Sequence, residues 1–205
     1  SKIALVTGAS RGIGKAISAH LALKGLDVVL IARSVSAHDL TPYPGTIDTT
    51  ATLVESLGAR ALPIRCDIGV EADVISAIHQ AIDVFGRVDV LVNNARYEGP
   101  AMWGDFATSN WADLAKLLDC NVRAPLLFTH QLIPYMRAQG NGLVINITTT
   151  MAYHLDSAYK PGKGSTSSLY PSTKAQLNWA TMMLARELHD DHIALVGLHP
   201  GSVLT

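Results

Sequence analysis

Apolar residues along this chain fall into two alternating kinds of stretch. Short runs at residues 3–6, 28–31, 61–64, 88–92, 143–147 and 193–198 are rich in Val, Ile and Leu, with Asp89 and Asn146 the polar interruptions. Runs of that length without polar alternation mark strands covered on both faces. Between most of them apolar residues recur at helical spacing. Ile13, Ile17 and Leu21 form one stripe that stops at Gly25, and Val74, Ile78, Ile82 and Phe85 form another that stops at Gly86; glycine just past the last periodic residue is a helix stop signal. Strand and helix therefore alternate, which predicts an α/β fold with a parallel sheet covered by helices on both faces. Two stretches break the rhythm. SVSAHDLTPYPGT (residues 34–46) and YHLDSAYKPGKGSTSS (residues 153–168) are rich in turn and hydroxyl residues, and read as insertions in a single domain spanning residues 1–205.

Composition narrows the partners. A chain of 205 residues that is 48% hydrophobic and 16% charged is long enough for one sizeable core. Its 16 Lys and Arg against 17 Asp and Glu leave no basic footprint for nucleic acid or an anionic membrane, so a small neutral or phosphorylated molecule is the expected ligand. The apolar run before Thr7 is too short for a signal peptide or a membrane span, and the expected location is the cytoplasm. Cys66 and Cys120 stand far apart and outside any CxxC, so they read as free thiols; the histidines form no HExxH, and no metal is expected.

The first strand runs into TGASRGIG (residues 7–14) and then a helix. Glycines there let the backbone turn tightly and approach a pyrophosphate, while free N–H groups and the positive end of the following helix attract its charge. Gly8, Ser10, Arg11, Gly12, Ile13 and Gly14 are thus candidate cofactor-binding residues. This context makes the sheet a doubly wound, Rossmann-type one. The second strand does not end in the acidic residue that would accept from a free ribose 2′-hydroxyl. It ends in Ala32 and Arg33, and Arg33 with Arg11 suits a 2′-phosphate, so NADP(H) is favoured over NAD(H).

With these residues in place the chain resembles the short-chain dehydrogenase/reductase family, in its TGxxxGxG, YxxxK subgroup. The resemblance continues through Asp67, the NNA at residues 93–95, Asn121, VINITTT at residues 144–150, Tyr170 with Lys174, and HPGSVLT at the end. It implies a homodimer or homotetramer transferring a hydride between the nicotinamide and a carbonyl or secondary alcohol carbon of a ketone, oxoacyl or steroid-like substrate. It also implies cofactor contacts from Asp67, Ile68, Asn94, Ala95, Pro200, Gly201, Val203 and Thr205, together with Tyr170 and Lys174. Tyr170 would act as general acid and base. Lys174 would lower the phenol's pKa and hold the nicotinamide ribose, and Asn121 would support a proton-relaying water. The serine usual after the fifth strand is replaced here by Thr149, with Thr150 the alternative.

The Tyr-x-x-x-Lys spacing occurs twice, at Tyr159/Lys163 and at Tyr170/Lys174. Residues four apart share a face only on a helix. Pro161 and Gly162 put a turn inside the first pair, whereas Pro171 suits a first helical turn and no further proline or glycine follows before His189. The second pair is therefore the working one. Ala175, Leu177, Ala180, Leu184 and Leu188 continue that helix as an apolar face, which the resemblance assigns to the sheet and a partner subunit.

Some features depart from the family. Arg96 stands where NNAG would have a glycine; outward exposure is the first expectation for it and contact with an anionic substrate the second. The chain ends at Thr205, where relatives continue into a last strand and a substrate lid, so the expectation is a fragment lacking both. These departures keep open an alternative function, a catalytically idle NADPH-binding sensor or scaffold.

Overall fold

The structure, a computed structural model, describes residues 1–36, 44–103, 105–153 and 167–201. Six strands form one parallel sheet: β1 (Ile3–Thr7), β2 (Asp27–Ala32), β3 (Ala61–Arg65), β4 (Val90–Asn93), β5 (Gly142–Ile147) and β6 (Ile193–Leu198), in the order β3-β2-β1-β4-β5-β6. All the expected strands are present, with ends shifted by two residues or fewer. The central strands are buried along their whole length because each face has its own apolar layer. Leu5, Val29, Ile31 and Leu91 face one core with Val74 and Ile78 of helix α3 (Glu71–Phe85) and Phe128, Leu132 and Met136 of α5 (Ala124–Gln139). Their neighbours Val6, Val28, Leu30 and Val92 face a second core with Ala22 of α1 (Gly12–Leu23) and Ile47, Ala51 and Val54 of α2 (Ile47–Ser56). Successive side chains of a strand point to opposite faces, so a run apolar at every position needs both layers.

Local signals set the ends of these helices. Gly86 (φ 73°) and Gly140 (φ 72°) close α3 and α5 in the left-handed region, where a side chain would be strained. Thr46 opens α2 with a capping box: its hydroxyl accepts from the Thr49 N–H, and the Thr49 hydroxyl accepts from the Thr46 N–H. The expected insertion at residues 34–46 thus ends at a helix cap, with residues 37–43 outside the described part. Pro63 sits on β3, an edge strand, where its missing N–H costs no ladder bond. At the other edge, Val196 and Leu198 of β6 are exposed. Among the described residues, no helix is long and apolar enough to cross a membrane, and no cluster of His, Cys, Asp or Glu is arranged to hold a metal.

Sheet order reverses at β1, since β2 lies on one side of it and β4 on the other. The chain segments leaving β1 and β4 diverge there, opening a crevice at the carboxyl edge of the sheet, the place where α/β proteins bind ligands.

Candidate active site

The glycine turn leaves β1 at this crevice. Gly8 (φ 68°) and Gly12 (φ 51°) take the left-handed conformation. A side chain on Gly14 would overlap the Gly8 carbonyl oxygen and the Asn94 amide, so glycine here lets the start of α1 press against the end of β1. The N–H groups at the opening of α1 are left facing the crevice, as a bound pyrophosphate requires. Arg11 precedes the helix in extended conformation. It reaches across to the end of β2, donating to the Ser34 hydroxyl at 2.9 Å and the Gly45 carbonyl at 3.2 Å, with Ser10 Oγ accepting from its Nε at 3.3 Å. Arg33 is exposed beside the same strand end, and its charge is felt by the Cys120 thiol. Both arginines thus lie near the end of β2.

Asp67 follows β3. Its carboxylate accepts from the Gly69 N–H at 3.0 Å and its own N–H donates to Asp73 at 3.0 Å, while Ile68 packs on the first core. Cys66 and Cys120 are free, as expected. Burial first, and nearby carboxylates second, push Cys66 up to about 12 and Cys120 up to about 11, leaving both thiols protonated and inert.

Asn94 and Ala95 are fixed by a residue that sequence reasoning missed. The Thr7 hydroxyl accepts from both the Asn94 and Ala95 N–H groups at 3.0 Å, and Asn94 Nδ2 returns a bond to the Thr7 carbonyl at 2.9 Å. Thr7 was visible as the first letter of the glycine motif, but its partners lie 87 residues away, and no local pattern names them. A buried relay beneath it was also missed. Asn93 donates to Asn146 at 2.8 Å, Asn146 to Thr181 at 2.8 Å, and Thr181 to the Leu177 carbonyl at 2.7 Å, tying β4, β5 and the helix that carries Tyr170 and Lys174 into one unit.

That helix, α6, runs Leu169–Glu187. It contains Tyr170 and Lys174 one turn apart, as expected of the second pair; Tyr159 and Lys163 lie outside the described residues. Lys174 is buried and donates to the Ile147 carbonyl at the end of β5 at 2.8 Å. Burial, followed by the positive charge of Arg96, brings its pKa down to about 8. Thr149 stands two residues beyond Ile147, half-buried, with its hydroxyl accepting from the Met151 N–H at 3.4 Å, while Thr150 is exposed and opens a short 3-10 turn. Asn121 lies in a π-helical stretch, Asp119–Arg123, between α4 (Trp111–Leu118) and α5. Fully buried, it accepts from the Tyr97 N–H at 2.8 Å and donates to Thr173 at 3.1 Å, and Thr173 donates to the Tyr170 carbonyl at 2.7 Å. The extra residue of the π turn aims Asn121 inward, where it couples the loop after β4 to the first turn of α6.

Arg96 is exposed, as first expected; its guanidinium pairs with Glu98 at 2.6 Å, and its charge reaches the Tyr170 phenol. One expectation is corrected. Tyr170 is not pulled below its ordinary pKa: burial raises it, the Arg96 charge opposes the rise, and Glu98 adds to it. The reason is that the phenol packs against a small apolar cluster of Tyr97, Met102 and Leu117, and the cation it feels, Arg96, belongs to the loop after β4. Beyond β6, Pro200 is half-buried and Gly201 (φ 80°) is exposed, its N–H donating to His199 at 3.3 Å. Val203 and Thr205 fall outside the described residues.

Known proteins resemble this chain along its full length. The family model described as short chain dehydrogenase matches residues 2–205. An uncharacterized oxidoreductase of Staphylococcus epidermidis is 28% identical over 100% of this chain and 79% of its own length. The short-chain reductase protein NovJ of Streptomyces niveus is 31% identical over 99% of this chain and 70% of its own length. Among solved structures, a metagenomic short-chain oxidoreductase in complex with NADP superposes with a TM-score of 0.81 at 30% identity, covering 98% of this chain and 82% of its own. The chain belongs to the short-chain dehydrogenase/reductase family of oxidoreductases.

Proposed function

We propose that this protein is an NADP-dependent oxidoreductase that interconverts a carbonyl and a secondary alcohol, with Tyr170 as the general acid and base. The observation that carries this reading is the placement of Tyr170 and Lys174 one turn apart on α6, with Lys174 tied to the end of β5 beside Thr149, at the edge of the sheet that the glycine turn also faces. The crevice suits a dinucleotide, since Gly8 and Gly14 let the turn and the start of α1 close on the end of β1 and on Asn94, which brings the helix N-terminus to the crevice. Gly8, Ser10, Arg11, Gly12, Ile13 and Gly14 would hold the pyrophosphate side. Arg11 and Arg33 would take the 2′-phosphate, Asp67 and Ile68 the adenine, and Asn94, Ala95, Lys174, Pro200, Gly201, Val203 and Thr205 the nicotinamide end. When bound, the nicotinamide supplies or accepts the hydride.

Thr149 orients the substrate oxygen with its hydroxyl, and Tyr170 gives that oxygen a proton during reduction. A phenol whose pKa is raised by burial is a competent donor but a reluctant base, so the reductive direction is favoured until cations draw the tyrosinate out. Arg96 acts on the phenol in this way, and Lys174 would join it through the nicotinamide ribose it is proposed to hold. Asn121 holds the first turn of α6 in register and supports the water that returns a proton through Lys174. The cytoplasm and a homodimer or homotetramer complete this reading, and exposed Trp179, Met182 and Met183 on α6 give such an assembly an apolar face.

A screen of NADPH consumption over ketones, 3-oxoacyl thioesters and ketosteroids, repeated with NADH, tests the proposal. Tyr170→Phe should lower turnover by at least ~10²-fold with NADPH affinity largely kept, the pattern of a lost proton donor. A second reading, an idle NADPH-binding sensor, draws on Arg96 and Glu98 lying against Tyr170. It would be favoured by tight NADPH binding, no turnover across the panel, and no effect of Tyr170→Phe.

A further inference from the structure

Arg96 leaves the carboxyl end of β4 directly after Ala95, and two contacts fix its guanidinium. Nη2 pairs with Glu98 at 2.6 Å and Nη1 donates to the Met102 sulfur at 3.0 Å. Met102 is buried in the same small apolar cluster that Tyr170 packs against, so the cation and the phenol share one apolar wall, and the Arg96 charge is felt by the phenol. Its side chain is still 37% exposed, and that of Glu98 30%. Lys174 offers no such access, being 2% exposed and bonded to the Ile147 carbonyl.

A carboxylate therefore already sits on Arg96 beside Tyr170, and it belongs to an irregular segment between β4 and Pro100 rather than to a helix or strand. Exchange of that carboxylate for one on a ligand would keep the guanidinium paired, while Glu98, already 30% exposed, turns to solvent. The geometry also limits the ligand's length. A reacting carbonyl oxygen must accept from the Tyr170 hydroxyl, and Arg96 and Tyr170 meet on the one small cluster around Met102, so a ligand that reaches both is short. A carboxylate one or two carbons from the carbonyl meets that limit, and guanidinium and carboxylate match as planar, bidentate partners.

We infer that Arg96 makes this site selective for short 2- or 3-oxo acids, whose carboxylate replaces Glu98 on the guanidinium while the oxo group meets Tyr170 and Thr149. The inference rests on the reductase reading above. In the reaction the carbonyl π bond breaks, carbon gains the hydride supplied by NADPH, oxygen gains the Tyr170 proton, and the products are the hydroxy acid and NADP⁺. Solvent then reprotonates Tyr170.

The test uses the whole chain with NADPH and two matched pairs, 2-oxobutanoate and 3-oxobutanoate against their ethyl esters. The expected kcat/KM ratio of acid to ester is about ten- to a hundred-fold, the range of one charge-assisted contact. Arg96→Gly should collapse that ratio toward one, Arg96→Lys should keep part of it, and Glu98→Gln should lower KM for the acids by removing their internal competitor. Equal kcat/KM for acid and ester, or an Arg96→Gly variant that keeps the acid preference, overturns the inference and leaves the reductase reading standing. Calorimetric binding separates the remaining case. If nothing turns over, acid binding that exceeds ester binding and is lost in Arg96→Gly supports the anion site while the reductase reading fails; equal binding of acid and ester overturns the site as well.

Discussion

Lys174 shows how far a single residue's environment has been set for something other than stability. An ammonium buried this deeply loses its hydration, and one hydrogen bond to the Ile147 carbonyl returns only part of it. Burial, with the Arg96 charge second, brings its pKa down to about 8, against about 10.4 in an unfolded chain. Between those values the unfolded state holds a proton that the folded state has released, so stability rises with pH across that window and the penalty is fully present below it. Replacing Lys174 with Met removes the titrating group. The midpoint of urea unfolding, followed from pH 7 to pH 10.5, should rise more steeply for the wild type than for Lys174→Met; parallel curves would mean that the lysine keeps its ordinary pKa in the folded protein.

At the scale of elements, the glycine turn is first a packing device and only then a ligand cradle. The start of α1 can lie on the end of β1 because Gly14 presents no side chain to the Gly8 carbonyl and the Asn94 amide. Gly14→Ala should force the helix off the strand at about 1–3 kcal/mol, the usual cost of overpacking. Because the displaced N–H groups are those that would meet a pyrophosphate, the variant should also weaken NADPH binding. Denaturant titration and cofactor titration of the same sample check both, and loss of binding at unchanged stability would contradict the packing argument. The π turn at Asp119–Arg123 is the second such device, since it links the loop after β4 to α6 through Asn121.

In the whole molecule, two apolar layers hold the sheet, and the site depends on both. The layer of α3 and α5 includes Phe128 of α5, which is almost fully buried in a core that covers β4 and β5. Phe128→Ala should cost about 3–5 kcal/mol and lower the thermal midpoint without altering the identity of the cofactor bound. Calorimetry would check it, and a loss well under 1 kcal/mol would mean that the layer can collapse onto the cavity.

What the sequence determined by itself was whatever rests on contacts between residues near one another in the chain. The strands were legible because a buried parallel strand is apolar at successive positions, and α1 and α3 because their stripes stop at glycine. The choice of Tyr170 over Tyr159 needed only the fact that proline followed by glycine breaks a helix, and α6 formed where that argument put it. The glycine turn and the absence of an acid at the end of β2 were equally local. Tertiary structure alone decided the rest. Thr7 and its clamp on Asn94, the relay from Asn93 through Asn146 to Thr181, and the bond from Asn121 to Thr173 join residues dozens of positions apart, so no spacing could announce them. The surroundings of Arg96 belong with these. Its sequence neighbours suggested a solvated cation, and it is exposed and paired with Glu98 two residues on; its charge reaches the Tyr170 phenol because the loop after β4 folds against α6, and a partner so distant in the chain is brought by the fold alone.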